Sequence, residues 1–296
     1  MADSTPSFRR PAFLGVVVVI AAAAVLWWFA GGGLGHRSVA ETKGTVPIAA
    51  DVDTIRIELQ NGTIGIDSPL DPSAPPAVDY AGGVRRAADS ATELAQIEQV
   101  AIVLTAVPDA DRPRTLVLRG PVMPAGVQGL LAFDLGVRIP AGLNLEIAIF
   151  GNGHVTLGNR AGRAVVATGR GDLRFERCKA AIRAKTGYGN VIAFDHEGDL
   201  DLFTSAGDMQ AFVRKPDNEL RLATGKGTVQ CGVPEDCEFD LDGRAAIGKI
   251  GADFGLAAEK VGEFGAAVVG KRGSARTKVV LRTETGHLAF RAKKFG

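Results

Sequence analysis

The sequence predicts a mainly β protein: a parallel β-solenoid with repeats of about 18 residues, one short helix in an insert, and an N-terminal transmembrane helix. Three observations predict it. The first is a recurring glycine phrase. Gly153, Gly171, Gly189, Gly207 and Gly227 follow one another at steps of 18, 18, 18 and 20 residues. The second is a threonine in register. Thr168, Thr186, Thr204 and Thr224 each stand three residues before the second glycine of a phrase. The third is an uncharged run, Ala12 to Ala30, about the length a helix needs to cross a bilayer.

The N-terminus comes first in order. Arg9 and Arg10 precede the apolar run, and Trp27 and Trp28 stand at its far end. Basic residues before a span favour a cytoplasmic N-terminus, and indoles favour the interface. The expected division is 1–11 cytoplasmic, 12–30 a transmembrane anchor, 31–50 a flexible tether, and 51–296 the β domain with an insert at 68–115. A cleaved signal peptide is the competing reading of the run. Ser7-Phe8-Arg9-Arg10 also has a twin-arginine look, although two arginines before a membrane helix need no further cause. The anchored reading puts the protein in a cell membrane, single-pass, with the C-terminal domain outside the cytoplasm.

Thr54 to Leu59 alternates with period two, as a half-buried strand does. Asn61-Gly62 then reads as a tight turn returning Ile64-Gly65-Ile66. In the insert, Ala87 to Gln99 is the one helix candidate, with Ser90 and Glu93 spaced as a capping box. Val100–Thr105, Leu116–Leu118 and Val137–Ile139 read as strands. Leu145 to Phe150 leads into the repeats.

Each repeat reads as strand, Thr-x-x-Gly corner, strand. Apolar residues alternate on both arms, as in Ile182/Ala184 before a corner and Val191/Ala193 after it. A unit this short cannot bury its own apolar face, whereas stacked units share one core. Glycine suits corners with positive φ or close backbone approach. The equivalent threonines are placed to form a ladder down one edge. A sequential antiparallel meander with the same glycines in hairpins is the structural alternative. Lys278 to Phe290 restores the phrase with Thr283 and Gly286, and a last strand ending in Arg291, Lys293 and Lys294 is expected to form a charged terminal cap.

Composition narrows the functional classes. Glycine is 38 of 296 residues, yet no G-X-Y period exists, so collagen is excluded. Net charge is +1, and no basic–aromatic interleaving supports nucleic-acid binding. Lys271 to Gly296 is locally basic; it reads either as solvated strand faces or as a surface meeting anionic polymer or lipid. The glycine pairs lack the third glycine and following helix of a nucleotide fingerprint. Three cysteines permit a Cys231–Cys237 bridge in an oxidising compartment and leave Cys178 as a small buried residue. Asp195, His196, Glu197, Asp199 and Asp201 form the densest polar group; acid–base catalysis needs two carboxylates at a defined separation, and the calcium nonapeptide is absent, so a solvated turn is the simpler reading. Arg170-Gly171-Asp172 spells an attachment tripeptide, but the repeat itself supplies Gly171. His154 and His287 read as single exposed histidines. No cofactor, metal or catalytic residue is expected.

Three stretches carry a family resemblance: Arg138 to Glu146 leading to Gly153-His154-Val155, the Thr-x-x-Gly-x-apolar units, and Leu281 to Leu288. The chain resembles the bacterial putative-adhesin family of extracytoplasmic β-strand repeat domains, similar to adhesin-head β-solenoids, over roughly 52–292 apart from the insert. The resemblance implies an extracytoplasmic or membrane-associated domain and supplies no catalytic residues. The expected function is therefore a membrane-anchored, adhesin-like binding or scaffold module facing envelope polysaccharide or a protein partner. The alternatives are a self-assembling structural solenoid and a carbohydrate-active β-solenoid enzyme.

Overall fold

The structure, a computed structural model, describes residues 35–68 and 76–295. The apolar run Ala12–Ala30 and the residues before it lie outside them. Among the described residues no helix is long and apolar enough to cross a membrane.

Twenty-three strands and one helix make up the described chain. In order they are β1 (His36–Pro47), β2 (Thr54–Leu59), β3 (Gly62–Asp67), β4 (Ala77–Ala88), α1 (Ala91–Glu98), β5 (Thr105–Pro108), β6 (Thr115–Arg119) and β7 (Leu130–Arg138). The repeats supply β8 (Asn144–Asn152), β9 (Val155–Gly158), β10 (Ala164–Arg170), β11 (Leu173–Glu176), β12 (Ile182–Tyr188) and β13 (Val191–Glu197). They continue with β14 (Leu200–Ala206), β15 (Met209–Lys215), β16 (Glu219–Lys226) and β17 (Val229–Pro234). The chain closes with β18 (Phe239–Ile247), β19 (Ile250–Ala252), β20 (Glu259–Val261), β21 (Gly265–Arg272), β22 (Thr277–Thr285) and β23 (Leu288–Lys293).

Two sheets face each other. One runs β1-β4-β7-β3-β9-β11-β13-β15-β17-β23-β19, the other β5-β6-β2-β8-β10-β12-β14-β16-β22-β18-β21-β20. Each repeat gives one strand to each sheet and so forms a rung. Successive rungs pair in parallel at the repeat step, as Ile182↔Leu200 and Val191↔Met209 illustrate. The meander is thereby ruled out for the repeats: their glycines turn the chain between sheets.

Alternate side chains of both sheets meet in one core. Ile182, Ala184, Val191, Ala193, Leu200, Leu202, Met209 and Ala211 are all buried. Period-two alternation places these residues inside, and hydrophobic burial at about 25 cal/mol per Å² holds the rungs together.

An uninterrupted parallel solenoid is not what forms. Both sheets are mixed: β1, β4 and β7 pair antiparallel at one end, as do β5 with β6, and β18, β21 and β20 do so at the other. Rung order also departs from chain order. The β22–β23 rung lies between β16–β17 and β18–β19, and the β2–β3 rung lies between β6–β7 and β8–β9. The last strand is therefore interior. The charged terminal cap expected of it is replaced by β18 to β21.

Other local expectations change for physical reasons. His36–Pro47, expected as part of a tether, is a 12-residue strand paired along its length with β4. Asn61-Gly62 is a corner between sheets, not a hairpin, because β2 and β3 take neighbours in different sheets. The helix is shorter than expected, but its cap holds: the Ser90 hydroxyl accepts from the Glu93 N–H and meets the Glu93 carboxylate at 2.8 Å. Of Val100–Thr105, expected as a strand, only Thr105 enters one, as the first residue of β5. The rest packs by single residues, with Leu104 buried and the Ile102 carbonyl accepting the Thr42 hydroxyl.

Candidate functional site

The predicted corners are brought together as one column. Its glycines run Gly62, Gly153, Gly171, Gly189, Gly207, Gly227, Gly286 and Gly248. Gly189 has φ +146°, and a β-carbon there would sit 2.2 Å from the Gly171 carbonyl oxygen. Only glycine meets both demands. The threonines form the ladder anticipated from their register. Thr168, Thr186, Thr204, Thr224 and Thr283 place their hydroxyls 3.0–3.1 Å from the carbonyl oxygens of Gly153, Gly171, Gly189, Gly207 and Gly227. Each therefore satisfies a backbone acceptor of the preceding rung in a buried place.

A second ladder lay unread in the sequence. The residue after five of the corner glycines accepts an N–H of the next rung. Asp172 accepts from Asn190, Asn190 from Asp208, and Asp208 from Thr228, at 2.7–2.9 Å. His154 and His287 belong to it, their Nδ1 atoms accepting from Asp172 and Lys249. They are not isolated histidines. Asp172 of the attachment-like tripeptide is thus held by the ladder, and Arg170 lies over the Tyr188 ring.

The polar group at Asp195–Asp201 is dispersed. Asp195 pairs with Arg214, Glu197 with Lys179, and Asp201 with Arg183. Asp199 accepts the N–H groups of Asn218 and Glu219. Partial burial opposes its charge, but those hydrogen bonds outweigh it and its pKa is lowered. His196 is fully buried, with neither ring nitrogen hydrogen-bonded among the described residues. Burial pushes its pKa down to about 4, against weaker opposition from the Asp199 backbone and the charges of Asp199, Asp217 and Glu197. Among the described residues no three His, Cys, Asp or Glu side chains gather as a metal site.

The cysteines correct another expectation. Cys231 and Cys237 are free buried thiols, as is Cys178. Cys231 faces the core from β17, while Cys237 follows the Pro234–Cys237 turn with its sulfur toward the Glu238 carbonyl. Burial raises the Cys231 pKa to about 12 and that of Cys237 to about 11.

The basic C-terminal stretch does not form a free cationic patch. Lys271, Lys278, Arg282, Arg291 and Lys294 pair with Asp240, Glu219, Asp242, Asp253 and Glu235. Lys293 and Arg272 sit over the Phe212 and Phe254 rings.

Sequence reasoning missed a surface concavity on the second sheet. The β20–β21 hairpin and the outer face of the second sheet bound a trough of about 560 Å³. Its lining mixes the small residues Ser205, Ala223, Gly225 and Ala246 with Phe203, Val261 and, on β22 between β16 and β18, Arg282 and Glu284. It crosses six strands from β14 to β20, roughly 24 Å at about 4.8 Å per strand. Phe203 is 45% exposed. Arg244, Arg282 and Glu284 supply charge. The two arginines share Asp242: partial burial opposes its ionisation, but their hydrogen bonds and charges prevail and lower its pKa. The hairpin comes from a stretch of weak alternation, so only the outward Phe203 of β14 was a readable signal.

No protein-family model matches the chain, and no curated protein matches it in sequence. Solved structures do. A putative cell adhesion protein from Clostridium sporogenes shares 12% identity over 86% of this chain and 100% of its own, with a TM-score of 0.39. A putative adhesin from Bacteroides fragilis also shares 12%, over 88% and 100%, with a TM-score of 0.37. A putative lipid binding protein from Parabacteroides distasonis shares 9%, over 88% and 98%, with a TM-score of 0.33.

Proposed function

We propose that the chain is a membrane-anchored, extracytoplasmic, non-catalytic adhesin-like module whose β-solenoid frame presents the trough on the second sheet to a strand of envelope polysaccharide. The trough is the observation that carries this reading. It is open, it crosses six strands, and its small residues Ser205, Ala223, Gly225 and Ala246 leave room for an extended polymer beside the charged side chains of β22. The half-exposed ring of Phe203 offers a face for a sugar ring, and Arg244 and Glu284 offer partners for its hydroxyls. The corner ladders support the same reading, because they make the presenting face rigid before any ligand arrives and so lower the ordering cost of binding. Self-assembly through the ends is less favoured. The antiparallel strands that close both sheets interrupt the parallel register that stacked copies would have to continue.

The experiment is a pull-down of the anchored protein from crosslinked membranes, with an anchor-only control. Envelope polysaccharide is expected with the intact protein and is expected to fall at least fivefold with Phe203→Ala. Recovery no greater than that of the anchor alone would refute the reading.

A further inference from the structure

At the edge opposite the glycine column the chain turns back through a second set of corners. Asn159, Arg177 and Asp195 stand there at 18-residue steps, all left-handed, with φ of 54°, 50° and 54°. Non-glycine residues hold this conformation at a cost of order 1 kcal/mol or more, so the surroundings must enforce it. The turns send Arg160, Cys178 and His196 inward and leave Lys179 and Glu197 outward.

Charge at these corners is not balanced. A cleft of about 360 Å³ is lined by Arg160, Arg177, Lys179 and Arg214 against only two carboxylates, Asp195 and Glu197. Those two are paired with Arg214 at 2.7 Å and Lys179 at 3.4 Å. Arg177 differs. Its Nε donates to the Asn159 side-chain oxygen at 3.0 Å, and no carboxylate lies within ion-pair distance among the described residues. Anchoring Nε fixes the guanidinium plane and leaves the terminal fork for a bidentate acceptor.

Arg160 adds a second, independent observation. It is 1% exposed, yet it has no ion-pair partner among the described residues. Its terminal nitrogens donate to the carbonyls of Ile139, Pro140 and Leu143 and to the Ser68 hydroxyl. Its buried Nε has no hydrogen-bond partner among the described residues. The Asp67 carboxylate is near enough to favour the charge, but burial outweighs it and lowers the pKa to about 10. The side chain therefore remains cationic at neutral pH, beneath the cleft, in surroundings that screen charge weakly.

We propose that this cleft is an oxyanion site, taking a carboxylate or phosphate group on the Arg177 fork over the buried Arg160 charge. Lys179 and Arg214, exposed at the rim, draw the anion in. A cleft of this size accommodates one acidic sugar or phosphate ester and not a folded partner. The site stands on the edge opposite the trough and does not depend on it.

The test is calorimetric titration of the full chain in neutral detergent with inorganic phosphate, glucuronate and polygalacturonate. Saturable binding is expected, weakened at least tenfold by Arg177→Gln, unchanged by Phe203→Ala, and falling as salt rises. Phosphate binding alone assigns the site to small free anions. Binding of glucuronate or the polymer assigns it to acidic polysaccharide. Arg177→Gln replaces an exposed side chain, so its unfolding midpoint should match that of the unaltered chain. Absence of saturable binding with all three probes would overturn the proposal. So would an unfolded-free Arg177→Gln protein that binds as tightly as the original.

Discussion

His196 makes the stability of this fold depend on pH in a window of its own. The imidazole is fully buried, opposite Val213 of the next rung, with neither ring nitrogen hydrogen-bonded among the described residues. Its folded pKa is about 4 against 6.5 unfolded. The unfolded chain therefore takes up a proton as pH falls below 6.5, and the folded chain does so only near 4. Stability is full above 6.5, is lost as pH falls between 6.5 and 4, and changes no further below that on account of this group. At about 1.36 kcal/mol per unit over roughly 2.5 units, the loss is about 3 kcal/mol. The lowered carboxylates Asp199 and Asp242 act in a lower window, because their contributions are lost only as pH falls below the ordinary aspartate value of 3.8. Urea unfolding at pH 7.5, 6.5, 5.5 and 4.5, followed by far-ultraviolet circular dichroism, measures the slope. His196→Leu should flatten it and, by removing an unsatisfied polar group, should not lower stability at pH 7.5. A His196→Leu protein that keeps the original slope would refute the reasoning.

Four further outcomes follow from the corners and the thiols. Gly189→Ala places a β-carbon 2.2 Å from the Gly171 carbonyl and forces a strained φ, so it should destabilise by more than about 3 kcal/mol and sharply lower the yield of folded protein. Thr204→Val keeps shape but strips the Gly189 carbonyl of its hydroxyl donor; thermal or urea unfolding should show a loss of about 1 kcal/mol. Asp172→Ala removes the acceptor for the Asn190 N–H and should cost a similar amount, whereas Asp172→Asn, which keeps that acceptor, should cost less. The native protein at pH 8 should resist iodoacetamide, and denaturation should release three reactive thiols by mass spectrometry; a count of one would restore the Cys231–Cys237 bridge.

The legible parts of the fold were those with local causes. Thr-x-x-Gly phrases at equal steps carry their own register, and the structure pairs them as that register requires. Asn61-Gly62 misled because a turn signal does not reveal whether the returning strand pairs with its predecessor or crosses to the other sheet. His36–Pro47 was obscured because its partner is β4, thirty or more residues away, and its own alternation is weak. The inward stack of Arg160, Cys178 and His196 was within reach: the same 18-residue step that aligned the glycines connects these three. What hid it was the usual association of Arg and His with the surface. The trough depends on where the β20–β21 hairpin folds back, and no periodicity encodes that.

The rung order carries a consequence for synthesis. The final β22–β23 segment fills a place between β16–β17 and β18–β19, both made earlier. Until its last residues arrive, β18 and β19 have no parallel neighbour on the inner side, and Leu220, Leu222 and Val229 have no rung above them. A chain that stops at residue 276 is therefore not a shorter version of this protein but one with a gap inside it. Completion of the stack therefore waits on β22 and β23, which enter between rungs whose strands precede them in the chain.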